Sequence, residues 1–326
     1  MSFSEVELDH FTQQGYVVKP GLLGQKDLWP LCNSLNKIID QGAKQLLEKG
    51  ELSQIYDNEG FKTRLARIYQ ESEEAGQIIM GMIMGKGGGG FNGEAMLNLL
   101  RNQTLVDCVA ELVGPDIVGA SAYRIRPKLP KHTRTEVPWH QDSGYFLPHC
   151  DKYLIVTCWI PLVDVTINNG CLYVLPKAHN VGILKHYTGG HGGYLEIPNN
   201  ELPSGNPVPI EMKFGDVLFM TNLTPHASFI NQTEVVRWSI DLRYQSMDAP
   251  NNVEEDPQTC TPERDPVTMA CYPSEADFVI RDSKDPSREV VCKEAFKQLR
   301  DRHNKARPYN PGRGWNRLKD KDTLKI

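Results

Sequence analysis

No apolar run in this chain approaches the roughly eighteen residues needed to cross a bilayer, and its opening, MSFSEVELDH, has neither a basic n-region nor an apolar h-region. Both absences predict a cytoplasmic protein with no membrane partner. The closing tripeptide LKI differs from the SKL-type peroxisomal address at its first and last positions and is not read as one. There is no excess of positive charge: the net charge is −5 and the pI is near 6.0, which argues against a nucleic-acid partner. Eight cysteines are scattered singly with no CxxC pair, so neither a disulfide framework nor a thiolate zinc knot is expected, and reduced, mostly buried thiols are. The glycine-rich stretch GMIMGKGGGGFNG lacks the Lys-Ser/Thr pair that closes a phosphate-binding loop, and its lysine precedes the glycines. It reads as a flexible loop.

What is present is an ordinary globular composition, 40% apolar and 24% charged over 326 residues, enough for one large core. Ser4 is a candidate N-cap for a helix that closes at Gly15, with a strand over Tyr16–Lys19 behind it. Lys26–Leu47 and Gly93–Val113 carry apolar residues at helical spacing. From Ile117 to Tyr244 the texture changes to seven short β-type runs between Gly, Pro and Asn turns, which predicts an antiparallel sandwich or barrel. A Pro- and Asp-rich irregular segment follows, then a helix over Glu289–Asn304 and a tail, NKARPYNPGRGWNRLKDKD, read as a solvated surface or an interface. One unit is expected: helical support over 1–115, a β-core over 116–246 and a C-terminal extension, a lid or interface, over 247–326.

Chemistry concentrates in three places. In VPWHQDSGYF, His140 and Asp142 are two residues apart; on an extended chain both face one way while Trp139 and Gln141 face the other. HxD alone is weak, since such tripeptides arise by chance. Among nine histidines His226 stands out, because an apolar strand fed by a Gly-Asp turn delivers it at the tip of GDVLFMTNLTPHAS; a histidine satisfied by a strand-end carbonyl is the plainer alternative. Eleven residues on, RWSIDLRYQ sets Arg237, Ser239, Asp241 and Arg243 on one strand face, where charged groups must be solvated, paired or holding an anion. Two histidines and a carboxylate are the facial triad of non-haem iron(II) oxygenases, and a nearby arginine suits the far carboxylate of a dicarboxylate.

WHQDSGYF, CWIPLVDVTINNGCLYVLPKAHN, GDVLFMTNLTPHASFIN and RWSIDLRY, in that order and spacing, resemble the phytanoyl-CoA dioxygenase family of iron(II)/2-oxoglutarate oxygenases. The resemblance is close over roughly 117–245, extends to the N-terminal helix and GYVVKPG, and leaves out the last eighty or so residues. It implies a mainly β fold with flanking helices around a double-stranded β-helix, the cupin-like jelly roll. It also implies Fe(II) held by His140, Asp142 and His226, with 2-oxoglutarate and O2 as cosubstrates. Arg237 would pair with the distal carboxylate of 2-oxoglutarate, supported by Ser228. Where family members often carry Asn-x-Lys-Pro, this chain has Arg124-Ile-Arg126-Pro127, so Arg124 is left with three roles: cosubstrate contact, acidic-substrate contact or surface ion pair. Asp142 disfavours halogenation, because the related halogenases have a small residue there.

The expected function is therefore oxidation, chiefly hydroxylation, of a small-molecule substrate with release of succinate and CO2, by a monomer or homodimer. Two rivals stand beside it: a metal-containing β-barrel hydrolase or isomerase in which the same ligands activate water, and a non-enzymatic barrel that binds a small acid through Arg237. Tyr145, Phe146 and Trp159 are pocket-wall or core candidates, Phe146 the more core-like. Gly85–Gly90 and Thr188–Gly193 are candidate lids.

Overall fold

The first helix, α1 (Glu5–Gln14), starts at a reciprocal cap: Ser4 Oγ accepts from the Glu7 N–H at 3.3 Å, and the Glu7 carboxylate accepts from the Ser4 N–H at 2.7 Å. It stops at Gly15, whose φ of 85° is left-handed and where a Cβ would fall 2.5 Å from His179 Nδ1. Strand β1 (Tyr16–Lys19) follows directly. The structure is a computed structural model and describes residues 2–84, 93–259, 269–306 and 312–318.

Helix α2 (Gln25–Glu48) lies within a residue of the expected Lys26–Leu47 at each end. Two helices that the sequence reading did not single out come next, α3 (Arg64–Glu71) and α4 (Glu73–Met84). The expected stretch over Gly93–Val113 is two helices rather than one, α5 (Glu94–Leu100) and α6 (Gln103–Val113). The reason is local: the Asn102 side chain accepts from the Leu105 N–H at 3.1 Å and so opens a new helix. The candidate lid at Gly85–Gly90 lies outside the described residues.

Ten further strands complete the described β-structure: β2 (Ile117–Gly119), β3 (Arg124–Lys128), β4 (Val137–His140), β5 (Ile155–Pro161), β6 (Leu172–Val174), β7 (Val208–Ile210), β8 (Val217–Thr221), β9 (His226–Ser228), β10 (Arg237–Ser246) and β11 (Phe278–Arg281). All pair antiparallel, in two sheets. The larger runs β1-β8-β5-β10-β2-β11, with β3 also on β10; the smaller runs β4-β9-β6-β7. This is the sheet-rich jelly roll with flanking helices that the family resemblance implies. β11 lies in a segment expected to be irregular; it pairs with β2, which extends the large sheet.

The ten-residue β10 organises the molecule, because nine of its residues are buried and its two faces differ. Trp238, Ile240, Leu242 and Tyr244 face the main apolar core, which they share with Leu28, Leu31, Leu35 and Ile39 of α2 and with Val156, Cys158 and Ile160 of β5. Between the sheets a second cluster, including Trp159, Leu172, Ile210, Leu218 and Met220, fills one part of the interior. The remaining part is polar, and it holds the site.

One expectation is overturned. Cys150 and Cys271 form a disulfide, with Cα atoms 5.7 Å apart and a sequence separation of 121, so not all thiols are reduced; a separation that long leaves no local pattern in the sequence. Cys32, Cys108, Cys158 and Cys171 are buried, as expected, and Cys292 is exposed. Helix α7 (Lys293–Ala306) begins four residues later than the expected Glu289. Among the described residues no helix is long and apolar enough to cross a membrane.

Candidate metal centre

Register brings the first pair of side chains together. β4 and β9 align His140 opposite His226 and Val137 opposite Ser228, so the two imidazoles project from neighbouring strands with ring centroids 4.2 Å apart. β4 ends at His140, Gln141 remains extended (φ −111°, ψ 144°) and Asp142 opens a short 3-10 turn. That one extended residue is enough for His140 and Asp142 to share a side. Gln141 points away and is fully occupied there: its Nε2 donates to the carbonyls of Gly182 and Leu223, and its Oε1 accepts from the Leu184 N–H. One ligand atom from each of His140, Asp142 and His226 lies within 4.8 Å of the others, and all three residues are buried.

The protonation states suit a cation. His140 Nδ1 lies 2.9 Å from the Pro138 carbonyl and His226 Nδ1 lies 3.0 Å from the Thr224 carbonyl, so each Nδ1 carries the proton and each Nε2 is left as an electron-pair donor. Burial lowers the pKa of both imidazoles, for His140 well below its ordinary value with the His226 ring adding to the effect. Burial pushes the Asp142 carboxyl the other way, but the Arg243 guanidinium and the two imidazoles outweigh it and hold it far below the usual carboxylate range. Arg243 donates to Asp142 through two nitrogens, Nε at 3.0 Å and Nη2 at 2.8 Å, and Thr157 Oγ1 adds a third bond at 2.5 Å. The donor set is two neutral imidazoles and one anchored carboxylate, which fits a divalent transition metal with open positions.

On β10, Arg237 is buried and has no carboxylate partner in the described structure. Its Nη1 donates to Ser239 Oγ and its Nη2 to Ser228 Oγ at 3.3 Å, its guanidinium lies 5.3 Å from the centre of the Trp159 ring, and its buried Nε has no hydrogen-bond partner. Burial, with the Arg126 cation nearby, brings its pKa down to about 9. A buried cation in this condition is what an incoming carboxylate satisfies. Arg237, Ser228 and Trp159 line a narrow cavity together with His140 and His226.

The other charged side chains of that face are paired. Arg243 Nη1 also donates to Asp241 at 2.8 Å, and Arg126 Nε donates to the second Asp241 oxygen at 2.6 Å. Arg124, with three roles open in the sequence, forms an ion pair with Glu275 at 2.7 Å, and Arg300 of α7 donates to the same carboxylate at 3.0 Å. Arg124 nevertheless lines a cavity of about 280 Å³ beside the cluster, with Arg126, Tyr145, Phe146, Tyr194 and Tyr272. The Tyr145 ring stands edge-on to His140 at 5.8 Å, and its hydroxyl accepts from the Leu195 N–H. Phe146 belongs to a small core cluster and also lines the cavity.

Two residues escaped the sequence reading. Arg243 shares its strand face with Arg237, but nothing in the sequence ties it to Asp142. Lys128, buried behind Ser228, donates to the carbonyls of Thr135, Ser228 and Phe229, and burial pushes its pKa well down. Its only sequence signal is its position opposite Arg237 in the β3–β10 register, which needs the pairing to be known.

The jelly roll and the buried two-histidine, one-carboxylate cluster define a class of metal-site protein, and comparison with known proteins narrows it. The family model for phytanoyl-CoA dioxygenase (PhyH) matches residues 11–239, and the chain belongs to that family. It is 33% identical over 150 residues to the peroxisomal phytanoyl-CoA dioxygenase of Mus musculus, a match over 44% of this chain and 43% of that one. It is also 33% identical over 92 residues to the methylphosphonate hydroxylase of Gimesia maris, over 28% of this chain and 34% of that one. The matches thus span less than half the length of these curated relatives. Among solved structures, the non-heme monooxygenase ThoJ superimposes with a TM-score of 0.51 at 15% identity, over 91% of this chain and 96% of that one, a likeness of fold.

Proposed function

We propose that this chain is an iron(II)- and 2-oxoglutarate-dependent dioxygenase that hydroxylates a small-molecule substrate. His140, Asp142 and His226 are the metal ligands, and Arg237 with Ser228 grips the far carboxylate of the cosubstrate. The observation that carries this reading is the buried Arg237, a guanidinium lacking a carboxylate, in one cavity with two of the three cluster residues. A lone buried cation is costly, and a diacid reaching from the cluster to the clamp offsets that cost. Iron(II) bound with 2-oxoglutarate and dioxygen supplies an oxidant able to take hydrogen from a C–H bond, with succinate and CO2 released.

The protein's own part is placement. Arg243 and Thr157 fix the Asp142 carboxylate, the Pro138 and Thr224 carbonyls fix the imidazole tautomers, and Trp159 stacks beneath the clamp. Tyr145, Phe146 and Tyr194 wall the adjoining cavity, where substrate is held against the cluster and water excluded. A carboxylate in the third ligand place favours hydroxylation over halogenation. The names of the relatives differ in substrate, so family membership does not name this one. Arg124 and Arg126 also line the cavity, but each is already paired with a carboxylate, Glu275 and Asp241.

The test is an anaerobic titration of the purified protein with iron(II) and 2-oxoglutarate, followed by admission of oxygen. A weak visible charge-transfer band that needs both additions, then succinate, is the expected result. A folded protein that gives neither sinks the oxygenase reading and leaves the hydrolytic metal site in its place.

A further inference from the structure

The segment 312–318 lies beyond the family match, yet it packs on the outer side of the loop that carries Asp142. Trp315 Nε1 donates to the Gly144 carbonyl at 2.8 Å, and Arg313 Nε donates to the Phe146 carbonyl at 2.6 Å. Arg313 is itself anchored by an ion pair with Asp151 and has a side chain only 5% exposed. The Trp315 ring lies 5.3 Å from that of His186, a buried histidine whose Nε2 accepts from the Gln141 N–H at 2.9 Å while its Nδ1 donates to the Leu184 carbonyl. Gly144 packs so closely on His186 that a Cβ would fall 2.6 Å from Nε2. The segment is also tied to the Thr188 loop: Thr188 N–H donates to Asn316 and Leu318 N–H to Thr188, at 2.9 and 2.8 Å. Gln141, Gly144 and Phe146 are thus each held from outside, and Asp142 and Tyr145 lie among them.

We infer that residues 312–318 are a strap that sets the Gln141–Phe146 turn, with Arg313 and Trp315 as positioning residues for the Asp142 ligand and for the Tyr145 wall. On the inner side the turn is held through Ser143, whose N–H donates to the Asn222 carbonyl and whose Oγ accepts from Asn222 Nδ2. The strap supplies the opposing side, so that the carboxylate meets Arg243 and the imidazoles in one geometry. Loss of such an outer support costs on the order of tenfold or more in metal affinity.

The inference rests on the metal reading above, and its test separates the two. Trp315→Ala and Arg313→Ala, in the full chain, are compared with wild type by cobalt(II) titration in the presence of 2-oxoglutarate and by hydrogen exchange of the 141–147 amides. Both variants are expected to bind cobalt about tenfold more weakly and to exchange faster at 141–147, with exchange over Ile155–Pro161 unchanged. Trp315→Phe, which keeps the ring against His186 but loses the donor to Gly144, should fall between, and it decides the matter if the alanine variants do not fold. Wild-type cobalt affinity together with wild-type exchange at 141–147 in a folded variant overturns the strap. A wild-type protein that binds no cobalt instead sinks the metal reading, and the exchange data still decide the strap.

Discussion

The two faces of β10 spend the same burial in opposite ways. Trp238, Ile240, Leu242 and Tyr244 give an apolar face to the helices, where removal from water stabilises in proportion to area. Arg237, Ser239, Asp241 and Arg243 are just as buried, but burying charge costs free energy unless each group is paired. Three of the four find partners within the described protein without difficulty; Arg237 finds only hydroxyls and an aromatic face. The lesson is that one strand can hold the fold together on one side and be held, at a cost, in a functional arrangement on the other.

Breaking the polar side at its centre should have the largest effect. His140→Ala or His226→Ala is expected to abolish metal-dependent succinate formation while thermal unfolding stays cooperative; turnover in either variant would mean that the ligands lie elsewhere. Next come two changes that set the faces against each other. Trp238→Ala should lower stability by about 3–5 kcal/mol through the cavity it leaves, with 2-oxoglutarate affinity little changed in whatever remains folded. Arg237→Ala should do the reverse, costing little stability and weakening 2-oxoglutarate binding by about 2–3 kcal/mol, on the order of a hundredfold, with metal still bound. Denaturant melts and ligand titrations of the same two variants check both, and equal effects on stability and binding would erase the contrast.

The smallest effect is one of pH. His186 is buried behind the Gln141–Phe146 turn, and that burial lowers its pKa to about 4. The unfolded chain takes up that proton near the ordinary value of 6.5 while the folded protein does not, so stability is present above about pH 6.5 and falls as pH drops from there toward 4. Between pH 7 and pH 5 this one group should remove about 2 kcal/mol. His186→Gln should flatten that part of the profile; an unchanged slope would place the titrating group elsewhere.

How much of this was legible before the structure follows from what is local. The Ser4 cap, the Gly15 stop, the strand texture from Ile117 and the two-residue spacing of His140 and Asp142 are short-range signals, and each appears in the fold where the chain placed it. The convergence of His226 on that pair follows from the family resemblance, its place at the tip of an apolar strand only marking it out among the histidines. Arg243 on Asp142, Lys128 behind Ser228, Cys150 with Cys271 and Trp315 on Gly144 all join residues about 100 or more positions apart, and only the tertiary fold brings them together. Helix α4 was hidden by its own composition, since EEAGQIIMGMIM mixes glycine with near-continuous apolar residues and has no clean amphipathic stripe.

Calorimetric titration of 2-oxoglutarate into manganese-loaded protein, run side by side on wild type, His226→Ala and Arg237→Ala, tests the pairing of metal cluster and carboxylate clamp most directly. One-to-one binding in wild type that needs the metal, vanishes in His226→Ala and weakens on the order of a hundredfold in Arg237→Ala is the predicted result. Wild-type affinity in both variants, or no binding to any of the three folded proteins, would contradict it.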